Sequence, residues 1–113
     1  MTRVIAEAIR RVMNDELWDR VHRATFAAHQ AHERLDDAWA TYRALTSSLH
    51  EARQKAHRAT DQKKRRSAHN RCYALIPEIE AQMHVLQQAM IDVETAETAR
   101  RQVFEAAVRQ PAE

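Results

Sequence analysis

At 113 residues, with 44% hydrophobic and 30% charged side chains and a formal net charge of +2, the chain has room for one domain with a modest core. It contains no Gly and only two Pro, Pro77 and Pro111, so the positive-φ turns of a hairpin-rich β fold are hard to build. Ala, Arg, Glu, Gln and Leu dominate, all strong helix formers, and an all-α fold follows.

In chain order, the first stretch, MTRVIAEAIRRVM, is broken by charge every few residues and lacks the apolar centre of a signal peptide. It reads as a short amphipathic helix over 2–12, with Val4, Ile5, Ile9, Val12 and Met13 on one side. Asn14 is the expected N-cap of the next helix, with Asp15 and Glu16 in its first turn and Met13 and Trp18 placed as a hydrophobic staple. No apolar run reaches the roughly 20 residues that span a bilayer, so a soluble, cytoplasmic protein with no membrane contact is expected.

A long helix is predicted over 15–59. Alternate steps of four and three from Leu17 land on Val21, Ala24, Ala28, Ala31, Leu35, Ala38, Tyr42, Leu45, Leu49, Ala52, Ala56 and Ala59. All are apolar or Tyr, which is the seam of a coiled coil, and its many alanines allow a close approach between helices. A second long helix is predicted over 62–109, with Cys72, Leu75, Ile79, Met83 or Gln82, Leu86, Met90 and Val93 at the same spacing. That pattern then shifts phase through Ala96 and Ala99 to Val103 and Ala107, which reads as a local stammer.

Each helix would be roughly 65–70 Å long at 1.5 Å per residue. A fold-back at residues 60–62 places Leu17 against Phe104 or Ala107, Leu35 against Leu86, and Leu45 against Ile79. The prediction is therefore a single all-helical domain, a long antiparallel helical hairpin with the short N-terminal helix packed near its open end.

Thr46-Ser47-Ser48 weakens the first helix, and Ser48-Leu-His-Glu51 has the form of a capping box. Pro77 falls at the same height in the second helix, where its ring kinks or starts a helix. Both helices are expected to bend there, setting a basic head over 47–76 on an acidic stalk. The alternative is a three-helix bundle of about 2–46, 49–75 and 77–109, whose middle helix would carry Lys63, Lys64, Arg65 and Arg66 across its apolar stripe.

The positive charge is concentrated. Residues 53–71 hold Arg53, Lys55, Arg58, Lys63, Lys64, Arg65, Arg66 and Arg71 against Asp61 alone, so the rest of the chain is net acidic. Such a cluster suits a polyanion, whose phosphates it would neutralise with release of counterions. DNA or RNA is the first candidate partner and an acidic protein surface the second. Tyr73 alone is available to stack on a base, and no helix-turn-helix or zinc-finger spacing is present, so recognition would be directed at the backbone.

Outside the seam, Trp18, Trp39, Val85 and Ile91 remain as apolar surface. They are the expected self-association residues of a homodimer, a four-helix assembly. A second class of function, a structural component of a larger particle such as a phage accessory protein or a secretion chaperone, would act through these faces.

Catalytic and metal chemistry find little support. His22, His29, His50 and His57 recur every seven residues or multiples of it, too far apart for one ion to bridge, and His29-Gln-Ala-His32-Glu33 matches neither zinc-protease order. Cys72 falls on the apolar seam, where a thiol is inert, and its solitude rules out an intrachain disulfide. Without Gly there is no phosphate-cradling loop. A non-enzymatic protein with no cofactor is expected.

Overall fold

The structure, a computed structural model, describes residues 3, 5 and 15–109. Two helices account for nearly all of them: α1 over Asp15–Arg58 (44 residues) and α2 over Gln62–Arg109 (48 residues). They pack against each other as an antiparallel hairpin joined through residues 59–61. The predicted helix over 2–12, the Asn14 cap and the Met13–Trp18 staple fall outside the described residues.

Neither helix breaks where the three-helix alternative requires it. α1 runs through Thr46–Ser48 because Thr46 Oγ1 donates back to the carbonyls of Tyr42 (3.1 Å) and Arg43 (3.0 Å), which satisfies the hydroxyl without opening the turn. α2 runs through Pro77. Pro77 has no N–H, so the Tyr73 carbonyl lacks its ordinary donor one turn on, yet the helix continues on both sides. The bundle is thereby overturned, and the Ser48–Glu51 pattern does not cap a helix.

The α1 seam is as predicted: every position from Leu17 to Ala59 is buried or half-buried. The α2 seam differs. Its covered positions are Ala68, Cys72, Leu75, Ile79, Gln82, Leu86, Ala89, Val93, Ala96, Val103 and Ala107, with exposed Arg100 completing the alternation of four and three. There is no stammer. A reading that follows hydrophobicity alone sidesteps to Met83, Met90 and Ala99, but Met83 and Met90 are 44% and 51% exposed and Ala99 is exposed as well.

The heptad stays in phase because a polar side chain can occupy it once its hydrogen bonds are met. Gln82 Nε2 donates to the Ala38 carbonyl at 3.1 Å, across the seam. Among the described residues no buried side-chain nitrogen or oxygen is left without a partner.

The chain divides into two compact units, Met1–Glu33 with Ile91–Glu113, and Arg34–Met90. In the first, Leu17 packs on Ala107 with Trp18 and Val21 beside them. His32 Nε2 lies 3.1 Å from Glu97 Oε1, and Arg100 lies 3.8 Å from the same oxygen. In the second, Ala38, Leu86 and Ala89 form one cluster with Leu35 and Tyr42. Ala52, Cys72 and Leu75 form another with Leu45, Leu49 and Ile79. Leu17 shares a cluster with Ala107, Leu35 packs on the cluster that holds Leu86, and Leu45 and Ile79 pack on one cluster, in keeping with the register of the predicted fold-back.

Candidate polyanion-binding tip

The turn is built without a left-handed residue; no described residue has positive φ. Cap chemistry takes the place of glycine. The Ala59 N–H still donates to the Lys55 carbonyl at 3.0 Å, carrying the end of α1 one residue further. Asp61 is the N-cap of α2: its Oδ1 accepts from the Lys63 N–H at 3.0 Å, and its carbonyl accepts from the Arg65 N–H at 3.0 Å. Arg65 then reaches back, its Nη2 donating to the Ala59 carbonyl at 2.9 Å. One carboxylate and one guanidinium thus satisfy groups on both sides of the turn.

All eight predicted cations lie on or near this turn and all are exposed. None of them makes an ion pair; the ion pairs among the described residues join Arg20 to Glu16, His29 to Glu33, and His32 and Arg100 to Glu97. The helix dipoles treat the two groups differently. Lys55 and Arg58 close α1, where positive charge is favourable. Lys63, Lys64 and Arg65 open α2, whose first turn contains no acid, so they face the positive end of its dipole.

The tip has two concave faces. One gathers Lys55, Arg58 and Lys64 with Gln54, Thr60 and Ser67, and Glu51 is its single acid. The other gathers Arg53, His57, Arg65 and His69, and continues along α2 to Arg66 and Tyr73. Lys63 and Arg71 line neither. His57 and His69 were missed as members of the basic cluster. Only the fold-back brings them beside Arg53 and Arg65, although a sum of faces around the predicted turn would have found them.

The predicted self-association residues are scattered. Trp18 is half-buried, packed on the Leu17–Ala107 cluster, with its ring edge-on to His22 at 4.5 Å. Trp39 is 40% exposed and edge-on to Tyr42 at 6.0 Å, while Val85 and Ile91 are exposed. Met83, Met90 and Phe104 add apolar surface that the sequence reading had not placed outside the seam.

The chain matches no protein-family model, no curated protein and no solved structure. Its site is therefore read from its own chemistry. His29 and His32 each turn to a glutamate, Glu33 at 3.0 Å and Glu97 at 3.1 Å, and not to each other. Among the described residues no three His, Cys, Asp or Glu are grouped to hold a metal ion, and no helix is long and apolar enough to cross a membrane. Cys72 is a free, buried thiol in the Ala52–Leu75 cluster.

Proposed function

We propose that this protein is a non-enzymatic helical adaptor that holds a polyanion, nucleic-acid backbone first of all, on its basic hairpin tip. One observation carries the reading. The cations that open α2 sit where the helix dipole disfavours them, next to Lys55 and Arg58, with no acid paired to any of them. A solvated turn has no need of that arrangement. A bound phosphate relieves it by neutralising the cations.

Binding of this kind is dominated by counterion release and carries little sequence choice. Fluorescence anisotropy with a labelled 20-mer should give an affinity that falls steeply with salt. The combined variant Lys63→Ala, Lys64→Ala, Arg66→Ala should flatten that slope and weaken binding at least ten-fold. Lack of binding to DNA and RNA at low salt would reject the nucleic-acid partner, and an acidic protein surface would then be the one to test.

The exposed Trp39, Met83, Val85, Met90 and Ile91 support a second reading, in which the protein is a dimer or a structural part of a larger assembly and acts through its apolar faces. In that case substitutions on these faces change the mass in solution, and substitutions at the tip do not.

A further inference from the structure

The two faces of the tip differ in kind as well as position. The first holds Lys55 and Lys64, compact ammonium charges on flexible stems, with Arg58 and Glu51 and no aromatic ring. The second carries the aromatic rings and most of the guanidiniums: Arg53, Arg65 and Arg66, the imidazoles of His57 and His69, and the phenol of Tyr73, with Ala56, Cys72 and Gln62 between them. On α2 these groups rise in successive turns, Arg65 and Arg66, then His69, then Tyr73.

Tyr73 is 70% exposed and makes no ring contact, unlike Trp18 and Trp39. Exposed Ile76 stands three residues beyond it. Arg65 is tethered by its bond to the Ala59 carbonyl and is otherwise exposed, with further N–H donors on the same guanidinium.

We propose that this second face is a stacking site for single-stranded nucleic acid, in which Tyr73 and His69 receive bases while Arg53, Arg65 and Arg66 follow the phosphates. The proposal rests on the polyanion reading above and narrows it. A polyanion without bases needs only charges, which the first face supplies through Lys55, Arg58 and Lys64. Planar cations interleaved with an unpartnered aromatic ring offer something more, a surface that bases can cover. Bases in a duplex are already stacked on each other and cannot use it. Unpaired bases can.

The test compares three labelled or competing polyanions at low salt: a mixed-sequence 20-nucleotide single strand, the duplex of the same length, and heparin. The single strand should bind at least ten-fold more tightly than the duplex. Tyr73→Ala and Tyr73→Leu should each weaken single-strand binding about ten-fold and leave the salt slope, the duplex and heparin unchanged, while Tyr73→Phe retains the affinity. Tyr73 is exposed, and circular dichroism of each variant checks that the hairpin is kept. Equal affinity for single strand and duplex, or equal loss on all three polyanions in Tyr73→Ala, overturns the stacking site and leaves the polyanion reading standing. No binding to any of the three overturns both.

Discussion

If the cations of the α2 first turn are held there against the helix dipole, reversing one of them should make the free protein more stable. Lys63 is the residue to change: it is exposed, lines neither face of the tip, and contributes its backbone N–H, not its side chain, to the Asp61 cap. Removing a positive charge at this end gains about 0.3–1 kcal/mol, and adding a negative one gains a similar amount. The new carboxylate in Lys63→Glu would also stand three residues before Arg66, worth a further ~0.3 kcal/mol. Solvent screening at an exposed position discounts the total, so the variant should be about 1 kcal/mol more stable than the parent, with Lys63→Gln about half as much.

Urea unfolding followed at 222 nm in low salt measures this. The gain should fall to about a third or less in 1 M salt, where the Debye length is about 3 Å. The same variant should bind polyanions more weakly. Unchanged or lower stability at low salt would refute the electrostatic argument, and undiminished polyanion binding would remove Lys63 from the site.

The revised α2 seam makes its own prediction. Leu75→Ala removes the one large side chain buried below 2% among the described residues and should cost about 3 kcal/mol, whereas Met90→Ala, at a half-exposed position, should cost under ~1 kcal/mol. Equal costs in urea unfolding would restore the stammered register. At the turn, Asp61→Ala should lose ~1 kcal/mol and Arg65→Ala about 0.5–1 kcal/mol. The double variant should lose less than their sum, because both act on the same three-residue connection. If the apolar faces join two copies, Trp39→Ala with Ile91→Ala halves the mass seen by light scattering, and a wild type that is already monomeric rules the dimer out.

Much of the fold was legible because α1 writes its seam in an unmixed code. Leu17 to Ala59 never interrupts the alternation of four and three, and the absence of Gly left helices as the economical solution. α2 was harder to read because its seam contains Gln82 and Arg100 while Met83, Met90 and Ala99 lie one place beside it. Hydrophobicity points to the neighbours; the unbroken heptad points to the polar residues, and hydrogen bonding to Ala38 lets Gln82 stay. At Thr46 and Pro77 both helices run on, as the hairpin expectation requires and the bundle does not. These two residues are weak helix formers, but a long packed seam on either side of them outweighs a local cost of a few kcal/mol. The site was half legible. A charge run is visible in one dimension, but its division into a face with Lys55, Arg58 and Lys64 and a face with aromatic rings depends on which α1 residues return beside α2.

That division also separates the cations by what they already do. Arg65 closes the turn through the Ala59 carbonyl, and Asp61, which caps α2 through the Lys63 N–H, is a single carboxylate among eight cations over residues 53–71. The same substitutions that should stabilise the free tip should therefore weaken its binding, and a ligand that neutralises the tip must stabilise the fold by linkage. A saturating polyanion should raise the unfolding temperature of the wild type by several degrees, since about 1 kcal/mol corresponds to roughly 4 °C in a chain of this size. In Lys63→Glu the rise should be smaller from a higher starting point. If the two proteins gain equally, the ligand is held somewhere other than the start of α2.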